Sequence, residues 1–234
     1  RSSAASDVYK RQVRDYMDTI YNGVLGIRIG VDEDYCSQGV DPAVRNAVLA
    51  TLDVFKALGA EIHQVDVSGI NDATPLWHAM CAAEAASAHS ETFPSRSAEY
   101  GPTFRALLED GVKVSGAHYV KAHVARQHTR RLIDEVLQEV DVLVCPAMAT
   151  PPMPIKDFSP QAVLRPEDIP ALLAFTAPMD FSGNPTVNLP CGFTPESLPL
   201  SVQLVGRHGE EGTIMQAAHA YEQATEWHKR EPSV

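Results

Sequence analysis

The chain has 234 residues and a mass of 25.4 kDa, enough to bury a substantial core in one or two domains. Its formal net charge of -11 argues against nucleic-acid binding, which needs clustered Lys and Arg to contact phosphates. No apolar run approaches the roughly 20 residues that a membrane-spanning helix needs, and no signal-peptide pattern is visible. We therefore expect neither nucleic acid nor membrane as a partner.

The four cysteines, Cys36, Cys81, Cys145 and Cys191, show no paired spacing. Cys145 and Cys191 lie in apolar, strand-like runs, where a reduced cysteine behaves as a small hydrophobic residue. We therefore expect a reducing, cytoplasmic environment. Cys191 could also be considered as a thiol nucleophile, but the local sequence offers no positive partner or helix N-terminus to activate it.

The first twelve residues do not fit the sequence that follows, and we expect residues 1–12 to be unstructured or artefactual. They resemble a translated sequencing-adaptor read-through, and a flexible polar N-terminus is the alternative. We expect the fold to cover residues 13–234 and to be the C-terminal part of a single domain.

The next part of the chain predicts a strand, a helix and a second strand. Residues 25–31 are rich in β-forming residues and are followed by acidic turn residues. Asp41 precedes Pro42, as at a helix start, and apolar residues then recur at helical spacing until Gly59. Residues 62–67 alternate as in a strand. This order favours a parallel pair of strands with a right-handed crossover.

The remaining chain continues to mix helices and strands. Residues 73–93 and 116–140 predict helices, and the second of these has an apolar stripe through Tyr119, Val124, Leu132, Val136 and Val140. A short strand at residues 141–145 leads into residues 147–170, whose prolines predict an irregular loop. Two further strands and a closing helix are predicted at residues 186–189, 201–205 and 211–228. The fold class is therefore α/β, with a sheet covered by helices.

Residues 176–206 read TAPMDFSGNPTVNLPCGFTPESLPLSVQLVG, which resembles the C-terminal half of an amidase-signature enzyme. The pieces GIRIGV, DVLVCPAMATPPMPI and LPLSVQLVGRHGEEG resemble other parts of that family in matching order. The resemblance implies the C-terminal portion of the amidase-signature fold, a mixed β-sheet with helices on both faces. It also implies hydrolysis of a carboxamide to a carboxylate and ammonia or an amine through a serine acyl-enzyme, with no cofactor.

Enzymes of the amidase-signature family carry two catalytic serines and a lysine on their N-terminal half, behind a Gly/Ser-rich loop. No such loop occurs in these 234 residues. We therefore expect a fragment that has no catalytic residue of its own and is inactive alone. The expected partner is a small-molecule amide substrate, and the oligomeric state is open, with a homodimer allowed.

In family members the segment that matches residues 176–183 lines the acyl pocket, and we predict Thr176, Asp180, Gly183 and Asn184 as substrate-binding residues. The residue types agree with a site, because small and turn-forming residues lie between a helix end and a buried strand. Thr176 and Asp180 are spaced i and i+4, which puts them on one face of a helical turn. Capping of the local backbone is the alternative for both residues, and for Asp180 it is the preferred interpretation.

Other clusters are interpreted as structural. His78, Cys81 and Glu84 are spaced for one helical face, but alanines surround them, so a packed helix is preferred over a metal site. The acidic residues 32–34 lack calcium-loop spacing and predict a turn after a strand. Ser182 lacks the G-x-S-x-G pattern of an exposed nucleophile. No metal is therefore expected.

Two alternatives to an amidase stay open. The glutamine-hydrolysing subunit of the glutamyl/aspartyl-tRNA amidotransferase is a close relative and has an aspartate, which binds the amino group of glutamine, three residues before the threonine. Leu173 holds that position here, and a buried leucine cannot hold an ammonium group. Arg105 lies in the region where that relative places a carboxylate-binding arginine. The second alternative is a binding module without chemistry.

Overall fold

A computed structural model describes residues 15–153 and 169–231 of the chain. The segment 1–12 and most of the predicted loop at residues 147–170 lie outside these ranges, so both stay predictions. The strands are β1 (Arg28–Val31), β2 (Glu61–Gln64), β3 (Val142–Pro146), β4 (Thr186–Phe193) and β5 (Pro199–Gly206). They form one sheet in the order β2-β1-β3-β5-β4.

The helices surround this sheet. Within the described ranges they are α1 (Pro42–Ala57), α2 (Thr74–Ala88), α3 (Pro102–Gly111), α4 (Gly116–Glu139), α5 (Ile169–Leu173), α6 (Ala177–Ser182) and α7 (Glu211–Ala224). Short 3-10 turns occur at Tyr16–Asp18, Ser97–Glu99 and Trp227–Lys229. Over the same ranges, no helix combines the length and the apolar character that crossing a membrane requires.

The sheet is mixed, as the sequence predicted. β1 pairs in parallel with β2 and with β3, and β5 pairs antiparallel with β3 and β4. Side chains at successive strand positions point to opposite faces, yet every residue of β3 and the last three residues of β1 are buried. Both faces of these central strands are therefore covered, which is typical of an α/β protein.

Helix α1 follows from its local sequence. The Asp41 carboxylate accepts the N–H of Ala43 at 2.7 Å, and Pro42 occupies the first turn, where its missing N–H costs nothing. The buried face consists of Val44, Val48, Thr51 and Phe55. Gly59 ends the helix with φ of 91°, a left-handed conformation that favours glycine.

Most of the stripe predicted for helix α4 is confirmed, because Val136 and Val140 are buried and Tyr119 and Leu132 pack against buried apolar clusters. The predicted apolar face includes Val124, but 64% of this residue is exposed. The buried residues are Ala122, Thr129, Ile133, Val136 and Leu137. In the first half of the helix, the fully buried positions are therefore held by the small residue Ala122 and the hydroxyl-bearing residue Thr129, and only the prediction for Val124 is wrong.

Asp141 joins three parts of the sheet at the start of β3. Its carboxylate accepts the Arg28 backbone N–H at 3.0 Å and the Arg28 Nη2 at 2.8 Å, at the first residue of β1. Arg207, directly after β5, donates from Nη2 to the same carboxylate at 2.8 Å and to the Val140 carbonyl at 2.6 Å. The hydrogen bond from Arg28 is the main reason why the pKa of Asp141 lies far below its usual value.

Asp141→Asn removes the charge that both arginines contact. We expect a loss of about 1–2 kcal/mol in the free energy of unfolding at neutral pH, below the usual range for charged hydrogen bonds because more than a third of each arginine side chain is exposed. The pKa of the folded carboxyl is depressed, so this stability is present above the ordinary pKa of about 4 and is lost as the pH falls below it.

Urea unfolding of the wild type and of the Asp141→Asn variant across this pH range measures the effect. The difference between the two should shrink on acidification. Asp53→Asn, at an exposed position of α1, is the control and should show a small difference at every pH. If the difference in unfolding free energy between Asp141→Asn and the wild type were independent of pH, the carboxylate charge of Asp141 would not be its cause.

Candidate functional site

The four predicted site residues lie on helix α6 and at its two ends. Thr176 directly precedes the helix, Asp180 lies within it, Gly183 is its C-cap and Asn184 follows. The Asp180 N–H donates to the Thr176 carbonyl at 3.0 Å, so the segment is helical and places these two residues on one face, as predicted. Thr176 is half-buried, and Asp180 and Gly183 are exposed.

The contacts of Thr176 and Asp180 show whether these side chains cap the backbone of α6. Thr176 is the N-cap residue, but its side chain makes no capping hydrogen bond. The Asp180 carboxylate accepts the indole N–H of Trp77, on helix α2, at 2.9 Å. The preferred interpretation of Asp180 as a cap of local backbone is therefore wrong, because its carboxylate pairs with a different helix.

The turn after α6 depends on Gly183 and Asn184. Gly183 has φ of 73°, and its N–H donates to the Met179 carbonyl at 2.8 Å. Asn184 is only 6% exposed, and its Nδ2 donates to the Gly206 carbonyl at the end of β5 at 2.9 Å. Asn184 thus ties the turn to the sheet, and its role in binding substrate stays a prediction. Its Oδ1 is buried without a hydrogen-bond partner among the described residues.

Helix α6 is short, and its neighbours hold it. Arg126, on α4, donates from Nε to the Phe181 carbonyl at 2.9 Å, which satisfies one of the free carbonyls at the end of α6. The Phe181 side chain packs in a small cluster with Ala73, Met80 and Ala122. The Ser182 hydroxyl is buried and donates to the Met179 carbonyl at 3.3 Å, so it makes a local bond within α6.

The segment that leads into α6 lies against the carboxyl ends of β1 and β3. Tyr35, a few residues after β1, donates its hydroxyl to the Ala174 carbonyl at 2.7 Å. Gln203, which is opposite Cys145 in the β3–β5 pairing, donates from Nε2 to the Phe175 carbonyl at 2.9 Å. Neither Tyr35 nor Gln203 is among the residues predicted from the sequence.

This edge of the sheet is a common place for ligands. From β1 the chain goes to β2 on one side and later returns to β3 on the other, so the strand order reverses at β1. In open α/β sheets, ligands bind outside the carboxyl ends of the strands at such a reversal. The physical position of Thr176 therefore agrees with a binding site, independently of any relative.

Two cavities lie near this edge. An apolar cavity of about 450 Å³ is lined by Val44, Met148, Thr150, Pro151, Pro152, Met153, Leu172, Pro199, Leu200 and Ser201. A polar cavity of about 820 Å³ follows the ends of β1 and β2 and includes the acidic residues 32–34. The Asp32 carboxylate accepts the N–H groups of Tyr35 at 2.9 Å and of Val67 at 2.8 Å. Asp32 therefore forms a turn after a strand, as predicted.

The other groups considered from the sequence, a cysteine nucleophile and a cluster of metal ligands, have contacts or burial that do not fit these roles. Burial raises the pKa of Cys191 to about 12, so its thiolate, the nucleophilic form, is scarce at neutral pH. His78 Nε2 lies 3.6 Å from the Asp110 carboxylate on α3. Glu84 accepts the hydroxyl hydrogen of Tyr119, on α4, at 3.0 Å. His78 and Glu84 thus face different neighbouring helices.

Comparison with known proteins identifies the class. Residues 1–215 match the family described as Amidase, and the chain belongs to that family. An amidase of Pseudomonas putida is 33% identical over 227 residues, which cover 95% of this chain and 48% of the relative. The A-type subunit of the glutamyl-tRNA(Gln) amidotransferase of Oceanobacillus iheyensis is 30% identical over 249 residues, covering 95% and 50%. The chain spans about half the length of the curated relatives it matches.

Solved structures show the same fold. A bacterial aryl acylamidase of the amidase-signature family has a TM-score of 0.77 at 20% identity, covering 92% of this chain and 47% of that one. The 6-aminohexanoate cyclic dimer hydrolase, in complex with its substrate, has a TM-score of 0.79 at 19% identity, covering 94% and 50%. The predicted family and the predicted α/β fold are therefore confirmed.

Gly183→Ala tests the backbone of the site turn. A side chain in the left-handed region costs about 1–2 kcal/mol, and the nearest group to the added Cβ, His208 Cε1 at 3.8 Å, leaves room for it. We expect a loss of that size in the free energy of unfolding, and a smaller loss for Gly183→Asn, since Asn tolerates this conformation.

Gly116→Ala at the start of α4 is the matched control. Its Cβ would meet nothing within 4 Å, and its φ lies outside the left-handed region. The same substitution there should be neutral or should stabilise by about 0.4–1 kcal/mol. Equal losses at both positions would show that backbone conformation at Gly183 is not the cause.

Proposed function

We propose that the full-length protein is an amidase that hydrolyses a carboxamide to a carboxylate and ammonia or an amine through a serine acyl-enzyme. The observation that carries this proposal is the family match over residues 1–215, together with an amidase that is 33% identical over 95% of the chain. We also propose that the two serines and the lysine lie in the half of the protein that this chain does not cover.

In this proposal the chemistry follows the family pattern. The lysine accepts the proton of the bridging serine, which in turn takes the proton of the nucleophilic serine as that oxygen attacks the amide carbon. Backbone N–H groups of the Gly/Ser loop stabilise the oxyanion, and the amine leaves with the proton. Water then hydrolyses the ester and releases the carboxylate. The present chain contributes one wall of the acyl pocket.

Contacts of the predicted site residues support that wall. Thr176 has a half-buried side chain whose hydroxyl does not cap α6, so it is available to a ligand. Asp180 is exposed on the same face beside Trp77. The buried Oδ1 of Asn184 has no partner within the described ranges, and an unpaired buried acceptor is costly, so we expect it to meet a donor from elsewhere in the protein or from a ligand.

The setting of the four cysteines supports the rest of the proposal. All four thiols are free, and Cys36, Cys145 and Cys191 are buried. A chain with free, buried thiols suits a reducing environment, so we propose a cytoplasmic location. The substrate that we propose, from the family match, is a small-molecule amide. A homodimer remains allowed.

Hydroxylamine trapping tests the reaction. The full-length protein, given simple aliphatic and aromatic amides, should release ammonia or amine, and with hydroxylamine it should form the hydroxamate from the acyl-enzyme. The 234-residue chain alone should give no product above buffer. Activity of the chain alone would place the catalytic groups within it and contradict the proposal. Binding of amides without hydrolysis by the full-length protein would favour the binding module.

The tRNA-dependent amidotransferase is the second candidate, because its A-type subunit from Oceanobacillus iheyensis is 30% identical over 95% of the chain. Leu173 argues against the amidotransferase, since an apolar side chain lies where the glutamine ammonium group would need a carboxylate. L-glutamine belongs in the same assay. Hydrolysis of glutamine in preference to simple amides would favour the amidotransferase, and the reverse preference would favour the amidase.

Thr176→Val in the full-length enzyme tests whether Thr176 lines the proposed acyl pocket. The variant keeps the volume and removes the hydroxyl, so a lost substrate hydrogen bond should cost about 1–3 kcal/mol in transition-state binding. We expect kcat/KM to fall roughly five- to hundredfold with little change in unfolding stability. Thr51→Val, whose hydroxyl donates to Val48 inside α1, should leave kcat/KM unchanged. Unchanged kinetics with lowered stability for Thr176→Val would remove Thr176 from the site.

A further inference from the structure

Two side chains from distant parts of the sequence hold consecutive backbone carbonyls directly before Thr176. The Tyr35 hydroxyl donates to the Ala174 carbonyl at 2.7 Å, and Gln203 Nε2 donates to the Phe175 carbonyl at 2.9 Å. These bonds connect the residues after β1, and strand β5, to the same short segment between α5 and α6. The segment itself lies outside any helix or strand, so these contacts fix it in place.

Burying the polar amide of Gln203 costs free energy, so its hydrogen bonds indicate what the side chain does. The residue is 3% exposed, and its neighbours Val202 and Leu204 are fully buried. A buried amide is tolerated only where its hydrogen bonds are made, and Nε2 lies 2.9 Å from the Phe175 carbonyl and 3.4 Å from Cys145 Sγ. The side chain therefore serves to hold the segment, and an apolar residue would pack there without doing so.

Tyr35 is itself held in place. Its N–H donates to the Asp32 carboxylate at 2.9 Å, and the second oxygen of that carboxylate accepts the N–H of Val67. Its ring packs against the Phe175 ring with centroids 4.7 Å apart. The end of β1 thus connects through Asp32 and Tyr35 to the residue before Thr176, and each contact in this series is short.

The planarity of the peptide bond carries the constraint to Thr176. The Phe175 carbonyl and the Thr176 N–H belong to one planar group, so fixing the carbonyl also fixes the orientation of that N–H. The Thr176 N–H donates to the Leu173 carbonyl at 3.2 Å, and the Thr176 carbonyl accepts from Asp180 at 3.0 Å. Both peptide groups that flank Thr176 are therefore held, and the direction of its Cα–Cβ bond is set.

We infer that Gln203 and Tyr35 are positioning residues for the Thr176 wall of the acyl pocket. The inference rests on the proposed amidase function as far as the pocket is concerned, whereas the fixation of the segment is independent of any activity. Neither side chain is required to touch the substrate, because both act through the backbone of the segment that carries Thr176.

The test uses the full-length protein with Gln203→Met, which keeps length and volume but has no donor, and Tyr35→Phe, which keeps the ring. Hydrogen exchange of the amides in residues 174–183 and the kinetics of amide hydrolysis are both measured. Gln216→Met is the matched control, because Gln216 also donates from Nε2 to a backbone carbonyl, that of Gly23. Gln216 lies on α7, outside the contacts that hold the segment before α6.

Gln203→Met should speed exchange in residues 174–183 and lower kcat/KM, each roughly five- to hundredfold, as expected when one hydrogen bond is lost. Tyr35→Phe should act in the same direction, and Gln216→Met should change neither. Exchange and kinetics no more affected than in Gln216→Met would overturn the inference. Faster exchange with unchanged kcat/KM would also overturn it, because the fixed segment would then not serve the pocket.

The two proposals fail separately. If the wild-type protein hydrolyses no amide, the proposed function fails, whatever the exchange rates show. Faster exchange confined to residues 174–183 in both variants would still support the fixation of the segment. Should Gln203→Met not fold, Tyr35→Phe alone decides, because it removes one hydroxyl and leaves the packing of the ring in place.

Discussion

The pairing of β1 with β3 is the contact on which the rest of the structure depends, and one aspartate lies directly before β3 and another directly after β1. At the start, Asp141 receives Arg28 of β1 and Arg207, so that the ends of three strands meet at one carboxylate. At the carboxyl end, Asp32 accepts two backbone N–H groups and shapes the turn that carries Tyr35. Between them the strands are apolar and buried on both faces, which leaves the polar groups at the two edges.

At the carboxyl ends of the strands, side chains of the sheet and of its loops contact the candidate site. Tyr35 and Gln203 bond to consecutive carbonyls of the segment before α6, and Asn184 bonds to the end of β5 after it. Helix α6 has only six residues, too few to be stable by itself, so these side chains and Arg126 supply the order that its own backbone cannot. Hydrogen bonds therefore connect helix α6, on both sides, to the sheet.

Local signals in the sequence predicted most of the fold, and contacts between distant residues account for what they missed. The cap at Asp41 and the parallel pairing of the two strands on either side of α1 follow from nearby sequence, and both are confirmed. The predicted strand at residues 62–67 is shorter in the structure, where β2 ends at Gln64. The preferred interpretation of Asp180 was wrong because its partner Trp77 is 103 positions away, where no local pattern points to it. Gln203 did carry a signal, since a lone amide inside an apolar strand must find a hydrogen bond when buried. The site itself was predicted from the family resemblance, and periodicity alone would not have found it.

Under the proposed function, the way in which the segment before α6 is anchored allows one fold to serve different amides. An amidase and an amidotransferase component both match this chain at 30% identity or more, so the scaffold does not choose the substrate. The hydrogen bonds from Tyr35 and Gln203 end on backbone carbonyls, which every residue type provides, so they do not depend on which side chains residues 173–176 carry. Under the proposed function, the residue type at position 173, a leucine here, can then differ while the wall keeps its place. In that proposal, selectivity changes by substitution on a backbone that the buried amide of Gln203 helps to hold.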